Sequence, residues 1–116
     1  GSYDLLRKHH KEIGIKILLD GIPIRPGKPI IIGTFGSKLI FCLPGNPISC
    51  IVCTRLFIVT LIRKMLAGKH NRLDTRQAIL SKDIEASKSS REHYMRAFTF
   101  QQGSTLCVKP FSQQDS

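Results

Sequence analysis

The segment Arg25-Pro26-Gly27-Lys28-Pro29 places two cations on a stretch of chain that cannot be helical. Pro-Gly is the preferred central pair of a type II turn, because proline fixes φ at one position and glycine supplies a positive φ at the next. Such a turn holds the Cα atoms of Arg25 and Lys28 within about 7 Å of each other. Two cations that close favour an anion between them, and an exposed basic turn without a ligand is the alternative interpretation.

A second segment, residues 43–49, has the composition of a strand end followed by a capped helix start. Asn46 is a good N-cap, and Pro47 falls at the first helical position, where proline is best tolerated. We expect the N–H groups of residues 48–50 to be free at this helix start and to bind an anion together with the Ser49 hydroxyl. An ordinary capped helix is the alternative interpretation.

Cys50 and Cys53 have the spacing of a redox pair or of half a zinc site. No second pair of this kind follows, and the histidines are not at zinc-finger spacing. The four cysteines are Cys42, Cys50, Cys53 and Cys107, and three of them lie in apolar runs. This pattern favours reduced, buried thiols over a metal or redox role.

Hydrophobic periodicity and breaker residues predict the elements that must position these segments. The predicted elements of the first part are a helix at 3–13 stopped by Gly14, strands at 15–19, 30–32 and 39–43, a hairpin turn at 34–37, and an apolar helix at 48–66 ended by Gly68. Its last strand, turn and helix are typical of α/β proteins. Residues 69–75 are predicted to be a linker.

The character of the chain changes after residue 71, where three β strands are predicted at 77–85, 93–100 and 105–109. Three strands leave open edges, so we interpret 72–116 as the start of a β domain that is cut short. Arg91, Arg96 and Lys109 in this part are candidates to extend an anion site, although charges on strands more often form a solvated face.

The chain has 116 residues and a formal net charge of +10, with 41% hydrophobic and 7% aromatic residues. The composition allows a packed core, and the length excludes a large multidomain enzyme. Residues 1–71 hold eleven Lys and Arg against three acids, so the charge excess lies with the two candidate segments. No stretch is apolar enough to span a membrane and no signal peptide is evident, so we expect a cytoplasmic protein without a membrane partner.

Five segments in order, Gly-Ser-Tyr-Asp, Arg-Pro-Gly-Lys-Pro, Leu-Pro-Gly-Asn-Pro-Ile-Ser, His-Tyr-Met-Arg-Ala and Gln-Gln-Asp-Ser, resemble the molybdopterin molybdotransferases, called MoeA in bacteria and represented in animals by the gephyrin E domain. The resemblance covers essentially the whole chain. It implies an α/β fold at 1–71, the C-terminal part of a MogA-like three-layer, molybdopterin-binding domain, followed at 72–116 by the truncated start of an all-β barrel domain. It also implies insertion of molybdate into adenylylated molybdopterin, with release of AMP and a divalent metal such as Mg²⁺.

The resemblance also assigns roles to individual residues. Asp4 matches an acidic position that works with the metal and the adenylylated substrate, and Lys28 is expected to act in catalysis as well as in binding. Arg25 stands where many members have lysine, so a planar guanidinium replaces a compact ammonium group. The residues implied to form the molybdate and substrate site are Arg25, Lys28, Pro44, Pro47, Ser49, Arg96 and Ser116.

Members of the family are dimers whose sites lie between protomers, so the resemblance implies a homodimer for a full-length protein. The glycine-rich pterin segment expected just before Gly1 is absent, and we expect an incomplete fragment that is inactive alone. One alternative is a non-catalytic scaffold with the same fold. Another is a basic nucleic-acid-binding domain, but its low aromatic content and lack of a nucleic-acid motif leave only charge in its favour, so we expect no nucleic-acid partner.

Overall fold

The computed structural model describes residues 2–67, 73–85 and 88–114. Within these ranges the fold combines helices and strands, as predicted. The predicted division at residue 71 and the β barrel stay predictions. No helix in the described ranges is long and apolar enough to cross a membrane.

Helix α1 (Ser2–Ile13) ends at Gly14, which has a φ of +86° and donates its N–H to the Lys11 carbonyl at 3.1 Å. Strand β1 (Ile15–Asp20) follows directly. The Arg7 guanidinium on α1 donates to the Asp20 carboxylate at the end of β1. Its Nε lies 3.0 Å from Oδ1 and 2.9 Å from Oδ2, and its Nη2 lies 2.6 Å from Oδ1. Hydrogen bonding to Arg7 lowers the pKa of Asp20 below its ordinary value. The helix and strand predicted for this part are confirmed.

Strand β2 (Ile24–Arg25) lies in the loop after β1, and strands β3 (Ile31–Phe35) and β4 (Lys38–Cys42) form a hairpin. Strand β3 is central in an antiparallel sheet of order β1-β3-β4. The predicted hairpin turn at 34–37 was placed too early. Thr34 pairs with both neighbouring strands, so the ladder continues through Phe35 and only Gly36 and Ser37 turn.

A continuous helical stretch occupies the position predicted for the long apolar helix, but its hydrogen-bonding pattern changes twice. It consists of helix α2 (Pro47–Cys53), a π-helical segment (Thr54–Val59) and helix α3 (Thr60–Ala67). π-Helical turns are rare inside α-helices, and those that occur often lie near functional sites. The predicted stop at Gly68 lies outside the described residues.

In the second part of the chain, the predicted strand 77–85 is reduced to two residues, the predicted strand 93–100 is divided, and the predicted strand 105–109 is confirmed. The strands observed are β5 (Ile79–Leu80), β6 (Glu92–His93), β7 (Ala97–Gln102) and β8 (Thr105–Pro110). Strands β7 and β8 form an antiparallel hairpin, and β5 joins β8 in parallel. The predicted strand 93–100 is interrupted because β6 pairs with β2 in the first part, whereas β7 pairs with β8.

The core of the first part forms where the loop after β1 meets helix α2. Ile24, Ile30 and Cys53 are buried together, and partly buried side chains pack around them. Those side chains are Ile22, Ile32, Leu43, Val52, Leu56, Phe57 and Tyr94. Residues from the β2 loop, from the helix and from the segment after β6 therefore share one core, which fixes these three segments relative to one another.

Candidate functional site

The segment Arg25-Pro26-Gly27-Lys28, called the basic turn below, differs in detail from the type II turn predicted for it. Gly27 has the expected positive φ, at +118°, and the Arg25–Pro26 peptide bond is cis. The Arg25 carbonyl accepts the Tyr94 N–H at 2.8 Å, and the Ile30 N–H donates to the Gly27 carbonyl at 3.2 Å. The hydrogen-bonded turn is therefore Gly27 to Ile30, two residues later than predicted, because β pairing occupies the Arg25 carbonyl.

The basic turn rests directly on helix α2. The Cys53 thiol donates to the Gly27 carbonyl, with Sγ at 3.6 Å from the oxygen. A second backbone bond, from the Ile22 N–H to the Lys28 carbonyl at 3.0 Å, fixes the other end of the turn. The main chain of Lys28 is thus held while its side chain is exposed. This arrangement presents a cation on an anchored backbone.

Ser49 lies on the face of the helix that meets the basic turn. Ser49 and Cys53 are both buried, and residues four apart in an α-helix share one face. The axial rise places Ser49 about 6 Å from Cys53, toward the helix start. The structure therefore brings Ser49 to the side of the helix that carries the basic turn.

The helix start itself does not offer the free N–H groups that were predicted. Asn46 is the N-cap, as expected, but its Oδ1 accepts the N–H groups of Ile48 at 3.0 Å and Ser49 at 3.1 Å. The Cys50 N–H donates to the Asn46 carbonyl at 2.9 Å. The prediction of a backbone anion site at residues 48–50 is wrong because the cap uses the donors that an anion would need.

Replacement of this cap tests how much it stabilises the helix. We expect Asn46→Ala to lower the free energy of unfolding by about 1 kcal/mol, because two N–H groups lose their acceptor. Asn46→Asp keeps the acceptor and adds a negative charge at the helix start, so its stability is expected to stay near that of the unchanged chain. Urea unfolding of the three proteins measures both effects. Equal stability for Asn46→Ala and Asn46→Asp contradicts the capping role.

The segment after β6 packs against a neighbouring flank of the same helix. Strand β6 pairs in parallel with β2, so that His93 lies opposite Arg25. Residues 93–96 then line a cavity of about 390 Å³ with side chains of the helix. The helix residues that line it are Ile51, Val52, Arg55 and Leu56. Arg96 is thereby placed beside the helix that also supports the basic turn.

The side chain of Arg96 is partly committed within the chain. Its Nη2 donates to the Gln113 carbonyl at 2.8 Å, and its Cζ lies 5.6 Å from the centroid of the Phe111 ring. The Nε atom is buried and has no hydrogen-bond partner among the described residues. A guanidinium held in this way has a fixed direction, and its Nε–H is a buried donor that no described residue accepts.

Comparison with known proteins identifies the family of this chain. The family described as "Probable molybdopterin binding domain" matches residues 1–64, which include α1, the sheet, the basic turn and most of the helix. The chain belongs to this molybdopterin-binding family.

Individual relatives extend the agreement beyond residue 64. The molybdopterin molybdenumtransferase of Bacillus subtilis is 26% identical over 110 residues, which is 95% of this chain and 25% of the relative. The Drosophila melanogaster molybdenum cofactor synthesis protein cinnamon is 29% identical over 99 residues, 84% of this chain and 16% of the relative. The Nostoc molybdopterin molybdenumtransferase is 34% identical over 68 residues, 56% of this chain and 16% of the relative. The chain spans about a quarter or less of these relatives, and the resemblance to the molybdotransferase family is confirmed.

Two of the residues that the family resemblance singled out are not placed by the structure. Asp4 belongs to the first turn of α1, but its side chain lies outside the described part of the chain, and so does Ser116. Among the described residues, no three His, Cys, Asp or Glu side chains come together as a metal site. The described residues therefore do not by themselves fit a Mg²⁺ site, since such an ion needs an octahedral set of oxygen ligands.

The four cysteines of the chain are not joined in disulfides. All four are free thiols, with Cys53 and Cys107 buried and Cys42 and Cys50 half-buried. Burial raises the pKa of Cys53 to about 11, with a smaller contribution from Cys50, and burial also raises the pKa of Cys42. The Cys53 sulfur is therefore a neutral thiol that donates to the basic turn.

This protonation state predicts how Cys53 reacts. At pH 8 a thiol of pKa about 11 has roughly a hundredfold less thiolate than one with its ordinary value, so alkylation by iodoacetamide should be at least that much slower. Mass spectrometry of the native chain measures the rate, and the urea-unfolded chain provides the control. Equal labelling of Cys53 in the native and unfolded chains contradicts the burial.

Tyr94 is a site residue that sequence reasoning did not single out. It packs on the Ile24–Ile30–Cys53 core, and its N–H holds the Arg25 carbonyl. Burial, followed by a hydrogen bond to Glu92, raises the pKa of its phenol, which therefore stays neutral. In the sequence, Tyr94 is marked only as an aromatic residue two positions before Arg96. It contacts the basic turn because β6 pairs with β2.

Proposed function

We propose that this chain forms the molybdate-binding part of a molybdopterin molybdotransferase that acts in molybdenum cofactor biosynthesis. The observation that carries the proposal is the convergence of three segments on one helix. The basic turn packs on Cys53, Ser49 lies one turn earlier on the same helix, and the Arg96 segment lines the neighbouring flank. Each of these segments supplies a donor suited to an oxyanion.

The three donors suit molybdate in different ways. Lys28 is a compact, mobile charge on an anchored backbone, whereas Arg96 is a planar cation of fixed direction. Ser49 adds a hydroxyl, which donates without adding charge. Two cations match the charge of a dianion. Pro44 and Pro47 flank the cap that fixes the helix start, and Arg25 adds a further positive charge beside Lys28.

In the proposed transfer, the two dithiolene sulfurs replace one molybdate oxygen, which leaves as water with the two thiol protons, and a water molecule cleaves the phosphoanhydride of the adenylylated substrate to release AMP. Both steps depend on positioning and charge neutralisation. Lys28, Ser49 and Arg96 hold molybdate beside the pterin and reduce the repulsion between two anionic substrates. Lys28 also stabilises negative charge that develops during the transfer. The backbone N–H groups of the helix start take no part, because Asn46 occupies them.

The remaining features of the transferase are proposed for the complete protein. Asp4 is the residue of this chain proposed to act near the metal, and the substrate phosphates would supply other ligands, as is usual for Mg²⁺. A homodimer is proposed because family sites lie between protomers. We also propose that the chain by itself binds molybdate without completing the transfer, since it spans only about a quarter of its Bacillus subtilis relative.

Calorimetric titration of the purified chain with sodium molybdate tests the proposal. We expect saturable binding of one molybdate per site, with no cofactor formed when adenylylated molybdopterin is added. Equimolar sodium chloride and a nucleic-acid duplex serve as controls for general attraction to a basic chain. Absence of saturable molybdate binding, or duplex binding that falls steeply with salt and displaces the molybdate, contradicts the proposed function.

A further inference from the structure

His93 lies where strand β6 meets the basic turn. It is the register partner of Arg25 in the parallel pair of β2 and β6. Two backbone hydrogen bonds fix this register, from the Glu92 N–H to the Pro23 carbonyl at 2.9 Å and from the Tyr94 N–H to the Arg25 carbonyl at 2.8 Å. Paired strands lie about 5 Å apart, and side chains in register point to the same face. The His93 side chain is therefore on the same face as that of Arg25.

The cavity of about 390 Å³ beside the helix brings His93 together with two further cations. His93 lines this cavity with Arg55 of the π-helical segment and with Arg96. None of the described residues that line it is acidic. His93 is half-buried, so part of it remains accessible to solvent. The residue thus connects the face of the basic turn to the cavity that Arg96 lines.

The acid next to His93 in the sequence belongs to the opposite face of β6. Successive residues of a strand point to opposite sides, and Glu92 is hydrogen-bonded to the Tyr94 phenol. The charged groups placed around His93 are all cationic, and they are Arg25 on β2, Arg55 on the helix and Arg96 in the following segment. A histidine in such surroundings has no carboxylate partner among them, which makes an external anion the group that can pair with its protonated ring.

The chemistry of imidazole connects anion binding to proton binding. Histidine is the side chain whose charge ordinarily changes between pH 5 and 8. A negative charge nearby favours the protonated ring, and protonation provides a positive charge and a second N–H donor. Because coupling between two bound species is reciprocal, an anion that favours the proton is itself bound more tightly when the proton is present.

We propose that His93 belongs to the oxyanion site and takes up a proton from the solvent when molybdate binds. This proposal rests on the proposed function, since molybdate is the anion considered. The protonated ring attracts the dianion, so the affinity for molybdate increases as the pH falls and decreases as the pH rises. His93 thereby makes binding pH-dependent in a range where lysine and arginine keep their charge.

Calorimetric titration of the chain with sodium molybdate tests this role. The titration is repeated at pH 7 in two buffers with different ionisation enthalpies, because the difference in heat counts the protons taken up. We expect net proton uptake, and an affinity roughly threefold to tenfold higher at pH 6 than at pH 8, the effect of one partly exposed charge. His93→Gln keeps a polar side chain and should lose both effects.

His9→Gln is the matched control, since His9 lies on α1 with its ring 3.1 Å from the Glu12 carboxylate. This variant should keep the proton uptake and the pH dependence of the unchanged chain. In ¹³C- and ¹⁵N-labelled chain, added molybdate should also move the ring resonances of His93 toward the protonated form and leave those of His9 in place.

The outcomes separate this inference from the proposed function. Saturable molybdate binding without proton uptake, or with His93 ring resonances that do not move, overturns the role of His93 alone. A folded His93→Gln variant that keeps the full pH dependence does the same. If that variant does not fold, the proton count and the ring resonances of the unchanged chain decide. Failure of the unchanged chain to bind molybdate overturns both proposals.

Discussion

Gly27→Ala is expected to destabilise the chain by roughly 2–5 kcal/mol, because strain at positive φ and steric overlap in the core add together. Gly27 has a φ of +118°, which side chains rarely tolerate. A Cβ at this position would lie 2.7 Å from the Cys53 Sγ and 2.8 Å from the Ile24 Cδ1. The basic turn can therefore approach the helix only with glycine here.

A matched glycine in the other turn provides the control for this prediction. Gly45 lacks a positive φ, and a Cβ there would meet nothing within 4 Å. Gly45→Ala is therefore expected to change stability by less than about 0.5 kcal/mol. Urea unfolding of both variants measures the difference. Similar stability of Gly27→Ala and Gly45→Ala would show that the basic turn does not pack on Cys53 as described.

The contact also predicts a partial rescue. Because Gly27 and Cys53 touch, their substitutions should not be additive. Cys53→Ala creates a small cavity, and the added methyl of Gly27→Ala occupies part of that space. The double variant should be more stable than the sum of the two single changes predicts. Strict additivity contradicts direct contact between the turn and the helix.

Lys28→Ala is expected to weaken molybdate binding by about tenfold to a hundredfold, the effect of losing one charge-assisted hydrogen bond. The Lys28 side chain is exposed and its backbone carries the hydrogen bond that anchors the turn, so stability should change by less than about 0.5 kcal/mol. Lys28→Ala should therefore lower the affinity for molybdate and leave the stability almost unchanged, whereas Gly27→Ala should lower both.

Lys38→Ala is the matched control for this change. Lys38 is also an exposed lysine, but it lies at the hairpin turn, at the opposite end of β3 from the basic turn. Both substitutions remove one positive charge, so an effect of net charge alone would be the same in each. Calorimetric titration with molybdate at one ionic strength compares them. An equal loss of affinity in the two variants contradicts a specific role for Lys28.

Local chemistry accounts for the parts of the site that sequence analysis predicted correctly. Proline and glycine dictate a turn in this segment, although the hydrogen-bonded turn forms at Gly27 to Ile30. Asn46 before Pro47 dictates a helix start, and both effects act within a few residues. The prediction of free N–H groups at this helix start is wrong for an equally local reason. The Asn46 side chain that marks the helix start also binds the donors that were assigned to an anion.

The rest of the site depends on contacts between residues far apart in sequence. Cys53 and Gly27 are 26 positions apart, and Arg96 and Gln114 are 18 apart. No periodicity or turn rule links such pairs. The pairing of β2 with β6 likewise interrupts a predicted strand, because Glu92 and His93 find their partners in the first part of the chain. Sequence analysis therefore identified Lys28, Ser49 and Arg96 as candidates without showing how one helix unites them.

The central claim is that these three residues face one bound oxyanion. Anomalous X-ray diffraction from crystals of the chain grown with molybdate tests it most directly, because molybdenum identifies itself by its own scattering. The account predicts one molybdenum peak, with its oxygens in hydrogen-bond contact with the Lys28 Nζ, the Ser49 hydroxyl and the Arg96 guanidinium. A peak that contacts none of the three, or a chain that takes up no molybdate, contradicts it.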